Sequence, residues 1–332
     1  MDYLNAYVLQ AGGSRASADR AVDSEASPCV TAVGPNGCPR WTAKRHRGSR
    51  SADATPLCII GYVELDSLWD FNDPAASEQK FWHWLAQDGL EADFRAEGLI
   101  QLARSQGLQR RFEDTHKTLD RAQEIIEGEG RAKVRLLLER GRAFNSGGDK
   151  PKALELFHEA AILARKVGEE GLEIDAMHMV AIADDPARSA QHNRAAIRRA
   201  EASHDPAARK WLASLNNNLG WSLFEEGKTE EALKCFKDAV TQREELGDAD
   251  RLSTAQWCVG RALRELSRDQ EALAIQESLF EIDLHGYVNE ELAILYTKNG
   301  DERAAARAQK AIEMLGDSLE PERLATLKEI AK

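Results

Sequence analysis

From Asn72 onward the apolar positions fall three and four residues apart, the spacing of one face of an α-helix. Asp73 and Pro74 make a start signal, because the carboxylate can cap the helix and proline suits its first position. Phe81, Trp82, Trp84 and Leu85 then supply an apolar stripe. At that spacing the run Phe81-Trp82-His83-Trp84 reads as packing against the next helix pair rather than as an aromatic ligand box. The Val-Ile-Thr alternation of strands is nearly absent. Before Cys58 there is no sustained periodicity, and Ser, Ala, Gly, Pro and Arg predominate. Residues 1–57 are therefore expected to form a disordered arm. Its basic stretch from Trp41 to Arg50 has two readings, a targeting or nucleic-acid-binding arm and a plain extension without a role. Residues 58–316 are expected to form one helical repeat domain and residues 317–332 a capping helix.

From Glu91 the pattern repeats. Five segments share a small residue at Ala103, Gly141, Gly220, Gly260 and Ala293. A large apolar residue follows three later, as at Phe144 and Leu223. A turn residue comes seven later, at Arg110, Gly148, Gly227, Ser267 and Gly300. Ala comes twelve later in four of the five, with Thr115 in the first. Phe157 and Phe236 stand sixteen after their glycines. Small residues let two helices of a hairpin approach, and a turn glycine can take the left-handed conformation that ends a helix. The expectation is that each Ala faces the small residue, while the later Phe fills the gap to the neighbouring hairpin. Between Gly141 and Gly220 there is room for one more hairpin, Leu172–Ala181 and Ala190–Ala202, joined by Asp184-Asp185-Pro186 without a glycine.

These five positions resemble the tetratricopeptide repeat family, whose units carry a small residue, Gly, Ala, an aromatic and Ala in this order. The Gly141 and Gly220 segments match throughout. In the others Ser267 replaces Gly, and Gln276 and Gln309 replace the aromatic. The spacing of most units exceeds the common 34 residues and looks like the long-repeat members. The resemblance implies an all-α, right-handed superhelical solenoid of about seven antiparallel helix hairpins, with first helices lining a concave groove. Carried onto this chain, the inward positions include Arg104, Arg135, Arg142, His178, Asn217, Asn218, Trp221, Trp257 and Arg261. Arginine forks suit carboxylates, Asn can pair with a peptide backbone, and Trp is a frequent anchor at interfaces. The family's chaperone-tail clamp of Lys and Asn is not met, since Leu138, Asn217, Arg142 and Trp221 stand at its positions.

Charge narrows the partners. The chain carries a net −12, and residues 1–60 hold seven Lys/Arg against five Asp/Glu, which leaves −14 on the rest. That balance disfavours nucleic acid and suits a protein or peptide partner. No apolar run reaches the roughly 18–20 residues that span a bilayer, so no membrane association is expected. The start lacks the basic and long apolar regions of a secretory signal, and the location expected is cytoplasmic. Five cysteines without a CxxC pair point to neither disulfides nor zinc; Cys235 and Cys258 read as core residues. Eight dispersed histidines show no ligand spacing, and no phosphate loop or nucleophile motif occurs. No enzyme activity, cofactor or metal is expected. Asp175 and His178 can share a helix face, most simply in a surface or hydrogen-bonded role. Asn216-Asn217-Asn218 is costly inside a helix, which fits either a binding role or a structural one. The function expected is an adaptor or scaffold. The alternative is a sensor that binds a peptide or small ligand and regulates a partner.

Overall fold

A computed structural model describes residues 65–280 and 285–332. The arm expected at residues 1–57 lies outside them. Every described element is helical. After a helical turn at 65–67 come α1 (Pro74–Leu85), α2 (Ala92–Leu108), α3 (Phe112–Ile125), α4 (Arg131–Ser146) and α5 (Lys150–Val167). Next are α6 (Glu170–Ala183), α7 (Pro186–Glu201), a short α8 (Pro206–Arg209), α9 (Leu212–Glu225) and α10 (Thr229–Leu246). The array ends with α11 (Ala249–Glu265), α12 (Asp269–Phe280), α13 (His285–Asn299), α14 (Arg303–Leu315) and α15 (Pro321–Ile330). Sequential helices pack as hairpins: α2–α3, α4–α5, α6–α7, α9–α10, α11–α12 and α13–α14. α1 precedes this stack and α15 closes it against α13 and α14. The chain is an all-α solenoid.

The turn seven residues after the small position is one backbone device used five times. Gly148, Gly227 and Gly300 have φ of 94°, 74° and 68°. Arg110 and Ser267 adopt the same left-handed region, at 61° and 58°, although they carry side chains. In each case the next residue donates its N–H to the carbonyl five residues back, as Asp149 does to Phe144 at 2.9 Å and Arg268 to Leu263 at 2.9 Å. The α6–α7 turn departs from this. Asp185 caps α7 instead, accepting from the Ala187 N–H at 3.0 Å. The extra length between Gly141 and Gly220 is taken up by α8, an insertion the helical periodicity does not reveal. It is seated by Gly171, whose missing Cβ would lie 2.9 Å from that of Ala207.

Inside each hairpin the packing corrects one expectation. A Cβ on Gly141 would stand 2.5 Å from the Phe157 ring, and one on Gly220 would stand 2.4 Å from the Phe236 ring. The aromatic, not the alanine, covers the small residue of its own hairpin. At Gly260 the fully buried Gln276 amide takes that place, 2.5 Å from the same point. A second correction concerns α14. Ala304, Ala308 and Ala311 are buried, whereas Ala305 is exposed. The Ala304 N–H bonds to Asp301 three residues back, whereas the equivalent Ala153 and Ala232 bond four back. This tighter first turn rotates the buried face by one residue.

Candidate functional site

Successive first helices touch along one side: α2 meets α4, α4 meets α6, and α11 meets α13. Among the described residues successive second helices make no comparable contact, so the first helices form the inner wall of the stack. The residues read as groove-lining lie on these first helices, and each is engaged with a neighbouring side chain.

In the N-terminal half the wall is a charge ladder. The Arg104 Nη1 donates to the Glu139 Oε1 at 3.0 Å. The same Glu139 accepts from Arg142, whose other Nη reaches the Asp175 carboxylate of the next hairpin. Arg104 also stands 5.7 Å from the Trp69 and Phe71 rings. Beside this ladder the Arg135 Nε lies 3.1 Å from Glu97. The carboxylates are deep and the guanidiniums shallower: Glu97 is 1% exposed and Arg104 28%. Burial opposes the charge of Asp175, but Arg142 overrides it and holds the carboxyl below its usual range. The same carboxylates raise the pKa of Arg142, although burial works against its charge. Of the surface and hydrogen-bonded roles open to Asp175 and His178, the structure shows the second: both are buried, Asp175 bonded to Arg142 and His178 to Asn218. Their helix faces two neighbours at once, so the pair belongs to the joint between hairpins.

His178 continues the wall toward α9. Its Nε2 lies 2.8 Å from the Asn218 Nδ2, and its ring stands 5.2 Å from Trp211. The amide can only donate there, so neutral His178 carries its proton on Nδ1. Burial lowers its pKa to about 4. The three consecutive asparagines turn to three different elements. Asn216 donates to the Gln242 Oε1 on α10 at 3.1 Å, Asn217 accepts from the Cys258 thiol on α11 at 3.5 Å, and Asn218 meets His178 on α6. Their propensity cost is offset by these contacts. Burial pushes the Cys258 thiol up to about 12, far from a reactive thiolate.

In the C-terminal half the wall becomes aromatic. Ring centroids of Trp221 and Trp257 are 6.0 Å apart, and those of Trp257 and Tyr287 are 5.7 Å apart. Trp257 is buried while Trp221 is half-buried. One turn further along, Arg261 stands 5.9 Å from the Phe224 ring and donates to Glu291 at 2.7 Å. Arg264 binds the same carboxylate through two nitrogens, so Glu291 serves two cations. Tyr287 and Glu291 complete this half. The acids beneath the arginines, Glu97, Glu139, Asp175 and Glu291, carry a sequence signal: each lies a repeat length from its partner, as Arg104 and Glu139 do.

Among the described residues no group of three His, Cys, Asp or Glu side chains is placed to hold a metal ion, and no helix is long and apolar enough to cross a membrane. The helical repeat architecture defines an all-α solenoid fold. Residues 211–285 match the tetratricopeptide repeat family. No curated protein sequence matches. Similar solved structures include a signal transduction ATPase with a tetratricopeptide repeat sensor, PH0952 from Pyrococcus horikoshii. It aligns with a TM-score of 0.62 at 14% identity over 82% of this chain. The chain spans 43% of that protein's length. RapI in its apo form aligns at 0.60 and 12% identity, covering 81% of this chain and 78% of its own. The apo quorum sensor NprR from B. thuringiensis aligns at 0.57 and 15%, covering 82% and 81%. At these identities the likeness is one of fold.

Proposed function

We propose that this protein is an adaptor that holds a peptide or protein segment against the inner wall of its solenoid. The observation that carries the reading is the gathering of half-exposed Arg104, Arg142, Asn217, Trp221 and Arg261 on first helices that share one side of the stack. Each is fixed by a neighbour from an adjacent hairpin, so little side-chain freedom is lost when a partner docks. The wall offers spare guanidinium and amide hydrogen bonds beside aromatic faces, which suits a polypeptide better than nucleic acid. A second reading, a sensor whose curvature responds to a bound peptide, draws on the charge ladder that links α2, α4 and α6, and on the sensor proteins among the solved relatives of this fold.

The test compares proteins captured by the wild type and by an Asn217→Ala/Arg261→Gln variant. These sites keep folding out of the readout: Asn217 holds only a weak thiol contact, and Glu291 retains Arg264 when Arg261 is lost. The expected result is a depleted set of captured partners from a variant that stays folded under the conditions of capture. An identical set from both proteins overturns the placement of the partner on this wall.

A further inference from the structure

A cleft of about 370 Å³ lies apart from the inner wall and opens between helices α1 and α3, above Leu99 of α2. Leu85, Leu99 and Ile125 form its apolar floor. Trp82, at 46% exposure, stands at its side although its neighbours Phe81 and Trp84 are buried. Packing explains those two and leaves Trp82 unexplained.

Two arginines face this apolar surface, Arg95 and Arg121. Both are held in place. The Arg95 Nη1 donates to the Leu85 carbonyl at the end of α1, at 3.4 Å, and the Arg121 guanidinium stacks 5.7 Å from the Trp82 ring. Neither has a carboxylate within 4 Å among the described residues, in contrast to the inner-wall arginines, each of which sits on a buried acid. Glu124 at the rim leaves the cleft with one positive charge in excess. Two pinned, unpaired guanidiniums over an apolar floor call for an anion with an apolar body. Bidentate arginine geometry favours a carboxylate, and the volume falls in the range of small-molecule sites.

We propose that this cleft binds a small amphipathic carboxylate, an aryl or alkyl acid. The carboxylate sits between Arg95 and Arg121, and the apolar tail lies against Leu85, Leu99 and Ile125 beside Trp82. The site is independent of the inner wall, so the two assignments stand or fall separately.

The experiment titrates the full chain with 4-phenylbutyrate and with its neutral counterpart 4-phenylbutanol, by calorimetry and ligand-observed NMR. For a probe of this size the acid binds with a dissociation constant on the order of 1 mM. The alcohol, lacking the charge-assisted bonds, binds roughly tenfold more weakly. Arg121→Gln weakens the acid by a similar factor and leaves the alcohol unchanged. Ala86→Trp, on the exposed rim, blocks both, while Arg198→Gln, an arginine on α7, changes neither. The assignment is overturned if acid and alcohol bind alike, if Arg121→Gln leaves the acid's affinity unchanged, or if no saturable binding appears by about 10 mM.

Discussion

At the scale of single residues, conformation and protonation are set by position in the hairpin. Arg110 and Ser267 occupy a left-handed turn that glycine fills in three other hairpins. For a residue with a Cβ that region costs roughly 1–2 kcal/mol, partly offset by glycine's greater freedom in the unfolded chain. Arg110→Gly and Ser267→Gly are each expected to raise stability by about 0.5–1 kcal/mol, seen as a higher urea midpoint at constant slope. His178 carries a pH dependence. Burial depresses its pKa to about 4 from 6.5, so the unfolded chain takes up the proton well before the native one. Stability present above pH 6.5 is therefore lost as pH falls from there toward 4, by up to about 3 kcal/mol. The loss is measured as the difference between wild type and His178→Gln, which keeps an acceptor for Asn218. Equal pH profiles for the two proteins contradict the assignment.

At the scale of elements, the repeat pattern fixes where helices begin and end better than which side chain meets which. The small positions and the left-handed turns are legible because they are backbone requirements, and backbone geometry tolerates few residue types. The contact between Phe157 and Gly141 was misassigned, because spacing alone does not say which turn of the second helix lies over the small residue. The one-residue rotation of α14 follows from a hydrogen bond at Ala304 that no residue type announces. α8 was missed because four residues are too few for a period. Gln276 shows what a departure from the pattern costs. Its amide is fully buried against Gly260, and neither its nitrogen nor its oxygen has a hydrogen-bond partner among the described residues. An unmet buried amide costs about 1–3 kcal/mol. Gln276→Phe, the residue that fits over Gly141 and Gly220, is expected to stabilise the chain by about 1–2 kcal/mol, checked by thermal melting. A lower melting temperature would show that α11 and α12 sit too close for a ring.

At the scale of the whole molecule, the ion pairs that link one hairpin to the next are not legible in the sequence. Charges a repeat apart look unpaired in the sequence, and only the stacking of hairpins brings them within bonding distance. The arginines consequently differ in what they support. Arg142→Gln leaves Asp175 without its paired cation in a buried joint, while Glu139 keeps Arg104, and a loss of about 3–5 kcal/mol is expected. Arg261→Gln leaves Glu291 bound to Arg264, and a loss of about 1 kcal/mol or less is expected. Chemical denaturation of the two variants side by side checks the contrast.

The same clasps have a bearing on how such an array can change over time. Arg104 reaches Glu139, Arg142 reaches Asp175, Arg261 reaches Glu291 and Arg323 reaches Glu290, each bridging 30 to 35 positions of chain. Every link names a specific successor, so the units are not interchangeable beads. Copying or excising one by recombination would strand an ion at each new junction, and the array's length and sequence of units are locked together by its own electrostatics.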